Sequence, residues 1–255
     1  MDAPDPLVAF VTGASSGIGR GLAVRLAQEG YAVGLAARRL GRLEEVVGDI
    51  HDYGSRAQAF ECDVSVGDQV RQAVGECRMA LGPIDLLVAN AGMGAQTLPE
   101  TLSAEDVEAV FRTNFMGAVY AVEAVLPEML RRRSGHLVVV SSLAGFGGLP
   151  TRGAYAASKA ALTTFFESLR VDLRDTGIAV TVVHPGFVRT EMTRRDGRRR
   201  PLIMEVDEAV DRMMDAIHAR RPSVMFPRRL GGVAWAARLL PRRAYDFFAH
   251  RTRPS

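Results

Sequence analysis

Tyr155 and Lys159 stand four residues apart in Tyr155-Ala156-Ala157-Ser158-Lys159. In a helix, positions i and i+4 share a face, so an ammonium would lie beside a phenol. A free phenol titrates near ~10, and a neighbouring cation favours its ionised form. A tyrosine tuned in this way can give or take a proton near neutral pH. Lys159 is also the only lysine of the 255-residue chain; the other 31 basic residues are arginine. A position that keeps an ammonium among so many guanidiniums points to a need for a compact, point-like cation. The pair alone fits an ordinary helix-face lysine even better; its surroundings reverse that balance.

Those surroundings repeat one unit. The apolar run from Leu7 to Val11 is followed by Thr12-Gly13-Ala14-Ser15-Ser16-Gly17-Ile18-Gly19, and then Leu22, Ala23, Leu26 and Ala27 recur at helical spacing. Strand, glycine turn and helix are expected here. The pattern continues as strand Ala32–Ala37, helix 40–53, strand Ala57–Cys62, helix 66–81 and strand Ile84–Ala89. A helix over 103–132, broken near its middle, leads to strand His136–Ser141. After it come helix 153–175, strand Ala179–Val183, helix 206–219 and a last short strand, Val224–Phe226. Buried apolar runs alternating with amphipathic helices predict an α/β fold, a Rossmann-like doubly wound parallel sheet of about seven strands with helices on both faces. No linker interrupts it, so residues 1–255 are expected to form a single domain.

Glycine at 13, 17 and 19 lets the backbone approach a pyrophosphate closely, and the helix N-terminus supplies amide donors. Other strand ends carry polar or glycine residues too: Asp63, Asn90-Ala91-Gly92, Ser141-Ser142 and Pro185-Gly186. A doubly wound sheet binds its ligand at that edge. The second strand ends in Ala36-Ala37-Arg38-Arg39, with no carboxylate to hold the adenosine ribose hydroxyls of NAD. Two arginines there suit a 2′-phosphate, so NADP(H) is expected over NAD(H). Ser16 stands where a further basic residue would have supported that choice; the alternative is that both arginines are surface residues opening the next helix.

With these pieces in order, the chain resembles the short-chain dehydrogenase/reductase family, in the branch of about this length. Thr12-Gly-Ala-Ser-Ser-Gly-Ile-Gly19, Asn90-Ala-Gly92, Asn114, Ser142, Tyr155-x-x-x-Lys159 and Pro185-Gly186 carry the resemblance over roughly residues 7–190. It implies an NADP(H)-dependent oxidoreductase with Tyr155 as general acid/base and Ser142 binding the substrate oxygen. It gives Lys159 the nicotinamide ribose and the lowering of the tyrosine's pKa, and Asn114 a water of the proton relay. Gly13, Ser15, Ser16, Gly17, Ile18 and Gly19 would hold the cofactor with Arg38, Arg39, Asp63, Val64, Asn90, Ala91 and Gly92. Pro185, Gly186, Val188 and Thr190 would complete that site on the nicotinamide side. Hydride transfer to a carbonyl creates an alkoxide that needs a proton, the task a tuned phenol performs.

Met93, Phe146, Leu149, Phe187 and Met192 fall in or beside loops at the same edge, so a largely apolar substrate pocket is expected, unless they plug the loops from beneath. Residues 190–204 read as a substrate lid, with Arg194, Arg195, Arg198, Arg199 and Arg200 around it. The expected substrate is a small apolar carbonyl or alcohol. A nucleotide-sensing or scaffold protein on the same fold is the alternative, although it has little need of the Asn114, Ser142, Tyr155 and Lys159 set.

The net charge of +3 hides an asymmetry: residues 1–188 sum to −5 and residues 189–255 to +8. A basic C-terminal quarter suits phosphates, anionic lipid or another subunit, or is simply a solvated surface. Within the amphipathic extension 228–255, Leu230, Val233, Ala234, Ala237 and Leu240 form a stripe flanked by Trp235 and Arg238, and Tyr245, Phe247 and Phe248 follow. Packing against a second subunit, in a homo-oligomeric dimer or tetramer, is the favoured role; peripheral membrane contact is the other. Arg131-Arg132-Arg133 lacks interleaved aromatics and precedes a Ser-Gly turn, so it reads as a helix C-terminus, not a nucleic-acid site. Cys62 and Cys77 suggest neither a disulfide framework nor a metal site, and fit a reducing, cytoplasmic setting. The acidic, proline-rich start does not resemble a signal peptide, and no apolar run approaches the ~18 residues of a membrane span.

Overall fold

A parallel strand buried on both faces carries apolar residues at every position instead of alternating them. Val8–Thr12 (β1), Ala32–Ala37 (β2) and Gly135–Val140 (β5) are buried throughout, as are nearly all positions of Ile84–Ala89 (β4) and Ile178–Pro185 (β6). Ala57–Glu61 (β3) and Ser223–Phe226 (β7) are only partly buried, because they form the edges. These assignments come from a computed structural model that describes residues 5–194, 202–237 and 239–251. The seven strands form one parallel sheet in the order β3-β2-β1-β4-β5-β6-β7.

Helices cover both faces. Gly17–Gln28 (α1), Leu40–Asp52 (α2) and Val206–His218 (α8) bury Leu22, Leu26, Leu43, Ile50, Val210 and Met213 against one side. Gly67–Leu81 (α3), Gly117–Arg132 (α5) and Gly153–Asp172 (α6) bury Val70, Val74, Ala121, Val125, Leu162 and Phe166 against the other. Ala104–Phe111 (α4) runs into α5 through a π-helical turn at Arg112–Met116, the break expected in the 103–132 helix. The tripled arginines close α5: Arg133 takes a left-handed conformation, and Arg132 bonds to Asp85 and to the Ile84 carbonyl. Glu191–Arg194 (α7), Arg228–Ala237 (α9) and Arg242–Arg251 (α10) complete the described helices. Strand order reverses beside β1, whose neighbours are β2 and β4; the crevice that this opens at the strand C-termini is where such sheets take ligands.

Within the tail the apolar stripe divides differently from its sequence spacing. Gly231 is the buried centre of α9, because a Cβ there would stand 2.7 Å from Met225 Sδ and only glycine allows that approach. Leu230 and Ala234 beside it are half-buried, while Val233 is 68% exposed and Trp235 53%. The inward face therefore follows Gly231, and Val233 and Leu240 point outward instead of joining the stripe.

Candidate active site

The crevice is floored by the loop between β1 and α1. Gly13 has φ +68°, and a side chain there would press within 2.8 Å of the Ala91 Cα; at Gly19 it would meet the Gly13 carbonyl at 2.3 Å. Asn90 straps this floor from β4: its Nδ2 donates to the carbonyls of Thr12 (3.0 Å) and Gly13 (3.4 Å). Thr12 Oγ1 in turn accepts from the Asn90 and Ala91 amides, both at 3.1 Å. The result is a bare, backbone-lined cradle at a helix N-terminus, the shape a dinucleotide pyrophosphate requires. Ser15, Ser16, Gly17 and Ile18 lie in this loop or the first turn of α1.

After the end of β2 the two arginines differ. Arg38 is 77% exposed at its side chain and only 3.9 Å from the Asp63 carboxylate. Asp63 itself is turned inward to Ser65, whose amide and hydroxyl donate to it at 2.9 and 2.7 Å. Val64 is buried under Gly117 and contributes packing. Arg39 folds over the glycine loop, donating from Nη2 to Ser15 Oγ (3.1 Å) and Ser16 Oγ (2.9 Å). Ser16, no basic residue itself, thus helps to orient the arginine.

The candidate catalytic residues stand on α6 and in the turn after β5. Of the two serines there, Ser141 is buried, bonded to the Lys159 carbonyl and to Thr163, whereas Ser142 is half-buried at the crevice. Ser142 Oγ caps the Leu143–Phe146 turn through the Ala144 amide and lies 3.4 Å from the Pro185 carbonyl. That turn presses on α6 so closely that a Cβ on Gly145 would be 2.9 Å from the Lys159 carbonyl carbon. Ser142 is thereby held beside the helix that carries Tyr155 and Lys159.

Lys159 is 4% exposed. Its Nζ donates to the Val140 carbonyl at 2.8 Å and lies 5.9 Å from the Tyr155 ring centre. Burial without a carboxylate partner draws the ammonium's pKa down to about 8. Asn114, 1% exposed, sits in the π-helical turn, a distortion often found at functional sites. Its Oδ1 accepts from the Met93 amide (2.7 Å), and its Nδ2 donates to the Met93 carbonyl (3.0 Å) and to Ser158 Oγ (3.0 Å). Ser158 Oγ donates to the Tyr155 carbonyl at 2.8 Å, closing a chain from the β4 loop to α6. A Cβ on Gly92 would be 3.3 Å from Asn114 Oδ1 and 3.5 Å from Lys159 Nζ, so the site is walled there by bare backbone.

The segment after β6 runs from the glycine loop to the loop after β4. Val188 pairs with Met204, Thr190 lies against Gly17, and Met192 stands 3.5 Å from the place a Gly94 Cβ would take. Gly186 holds to the Phe226 carbonyl at 2.7 Å. Of the apolar residues, Met93, Leu149, Phe187 and Met192 are at least 36% exposed at the rim. Phe146 is 8% exposed and stacks on His184, its ring centre 4.8 Å away, so it supports the loop from within and is not part of that open rim. Arg195, Arg198, Arg199 and Arg200, and the side chain of Arg194, lie outside the described residues, as does Arg238.

Sequence reasoning missed five participants. Ser158 was legible inside the Tyr155–Lys159 stretch, and Thr12 opens the glycine loop. Arg42 and Glu191 meet across 149 positions (2.6 Å), a contact that no local pattern announces. Tyr245 of α10 donates to the Gly148 carbonyl, so the tail fastens the loop bearing Leu149.

The short chain dehydrogenase family model matches residues 7–201. The chain is 44% identical to an uncharacterized oxidoreductase of Myxococcus xanthus over 245 residues, covering 96% of this chain and 97% of that one. Among solved structures, a short-chain dehydrogenase/reductase from Burkholderia phymatum in complex with NAD superposes with TM-score 0.83 at 28% identity, covering 100% and 99% of the two chains. A short-chain dehydrogenase from Sphingobium yanoikuyae in complex with NADPH gives 0.80 at 30%, covering 87% and 88%. Cradle, tyrosine–lysine helix and relatives agree: this chain belongs to the short-chain dehydrogenase/reductase family and is an NAD(P)-dependent oxidoreductase.

Proposed function

We propose that the protein uses NADP(H) to interconvert a ketone and a secondary alcohol, or an aldehyde and its alcohol, on an apolar substrate. The observation that carries this reading is Lys159, the sole lysine, buried with its ammonium beside the Tyr155 ring. Bound nicotinamide supplies or accepts the hydride. Ser142 Oγ holds the substrate oxygen. In reduction, the Tyr155 hydroxyl gives its proton to that oxygen as negative charge develops; in oxidation it removes the proton from the alcohol. Lys159 stabilises the resulting phenolate and orients the nicotinamide ribose. Asn114 and Ser158 fix the α6 backbone and the β4 loop, with Asn114 as the anchor of the water relay. A nucleotide sensor on this fold would have no use for so costly a buried ammonium.

The NADP(H) preference rests on residues, since one solved relative holds NAD and another NADPH. Support comes from the all-apolar end of β2 and from Arg39 lying across Ser15 and Ser16. The exposed rim of Met93, Leu149, Phe187 and Met192 supports an apolar substrate. Val233, Trp235, Leu239, Leu240 and Phe247, all at least 40% exposed, support a second subunit as the partner of the tail, with an anionic membrane surface as the alternative. No helix among the described residues is long and apolar enough to cross a membrane. The free thiols of Cys62 and Cys77 support a reducing, cytoplasmic setting.

The test is a panel of ketones, aldehydes and alcohols offered with NADPH/NADP and NADH/NAD, followed by nicotinamide absorbance. Turnover of apolar members, faster with the phosphorylated cofactor, is expected. Cofactor binding with no turnover across a broad panel would favour the sensor.

A further inference from the structure

Arg39 and Arg42 already hold a carboxylate. Glu191 places Oε2 3.0 Å from Arg39 Nη1 and Oε1 2.6 Å from Arg42 Nη1. Each of its oxygens is matched to a different guanidinium, as two oxygens of a phosphomonoester would be. Ser15, Ser16, Arg42 and Glu191 line one open groove beside α1, so this contact is reachable from solvent. Hydrogen bonds from Arg39 and then Arg42 hold the Glu191 carboxyl below the usual carboxylate range, which keeps it ionised at neutral pH.

Glu191 does not come from the end of β2. It opens α7, between Thr190, packed on Gly17, and Met192, packed on Gly94. Its ion pairs therefore tie the segment after β6 to the arginines that lie beside the end of β2. The three side chains are between 38% and 50% exposed, so the tie is screened and exchangeable, not a fixed structural bridge.

We propose that Glu191 is a built-in competitor for the ribose 2′-phosphate of NADP(H): its carboxylate occupies the seat between Arg39 and Arg42 until a phosphomonoester displaces it and releases the 190–194 segment. The proposal rests on the NADP(H) reading given above and adds Arg42 to the phosphate site. NAD(H), with a hydroxyl at that position, leaves the contact in place. Cofactor choice and the position of that segment are then coupled through one side chain.

The experiment compares 2′,5′-ADP with 5′-AMP, which differ only in the 2′-phosphate, by calorimetric titration of the whole chain and of Glu191→Gln. Wild type should bind 2′,5′-ADP more tightly than AMP. Glu191→Gln should tighten 2′,5′-ADP by roughly three- to tenfold, the effect of removing two exposed ion pairs that compete with it, and leave AMP almost unchanged. In wild type, 2′,5′-ADP but not AMP should speed amide hydrogen exchange in residues 190–194, a readout that does not depend on the variant folding. If wild type prefers 2′,5′-ADP but Glu191→Gln binds it no better, or exchange in 190–194 is unmoved, the competition is refuted and the NADP(H) reading stands. Equal binding of both probes by wild type overturns the NADP(H) reading itself.

Discussion

Lys159 Nζ lies 5.9 Å from the centre of the Tyr155 ring and donates at 2.8 Å to the Val140 carbonyl, with 4% of the residue exposed. The ammonium sits between the Val140 carbonyl and the bare backbone of Gly92, where a Cβ would come within 3.5 Å of it. Lys159→Arg keeps the charge but brings a planar fork that does not fit this seat. Its kcat should fall by at least about a hundredfold, the lower range for loss of an acid–base function. Near wild-type turnover in that variant would show that only charge matters.

Arg39, not Arg38, reaches over the glycine loop. Arg39→Ala should weaken NADPH roughly tenfold to hundredfold, because a charge-assisted contact to phosphate is worth about 1.5–3 kcal/mol. NADH binding should change little, and Arg38→Ala should have the smaller effect on either cofactor. Fluorescence titration of the reduced cofactors checks this; equal losses for NADPH and NADH would place Arg39 elsewhere in the site.

His136 and His184 are buried, and desolvation lowers both to about 4 from an ordinary 6.5. Between those values the unfolded chain binds more protons than the folded one, so stability falls as pH drops from 6.5 through 4. A displacement of this size is worth on the order of 3 kcal/mol per group. His184→Phe keeps an aromatic partner for Phe146 and should flatten the acid limb of the stability profile measured by denaturant unfolding. Parallel profiles for variant and wild type would contradict the assignment.

Tyr245 of the tail bonds to Gly148 beside Leu149, and α9 packs on β7 at the sheet edge, three strands away from β4 and four from β1, which leads into the glycine loop. Tyr245→Phe should therefore raise KM for an apolar substrate and leave the NADPH Kd unchanged. Deleting 228–255 should also spare NADPH binding. A smaller species in sedimentation would identify a subunit contact, and loss of binding to anionic vesicles at unchanged size would identify a lipid contact.

The sheet was legible because burial on both faces forces continuous apolar runs, and Ala32–Ala37 and Ile84–Ala89 match their strands residue for residue. The break in the 103–132 helix was also readable, but not that it is a π-helical turn holding Asn114. What escaped is whatever depends on distant partners. Glu191 meets Arg42 from another element, and Gly231 moved the buried face of α9 because Met225 lies beneath it. The serine pair after β5 shows the same limit: only the surroundings in the fold make Ser141 a core hydroxyl and Ser142 an available one.

In the proposed mechanism Tyr155 moves the proton while the rest of the site binds and orients. Tyr155→Phe removes one hydroxyl and leaves the ring beside Lys159. With any substrate that wild type reduces, NADPH oxidation followed by absorbance should fall by about 10²–10⁴-fold in this variant, while the NADPH Kd stays almost unchanged. Turnover near the wild-type rate, at any pH, would contradict the account.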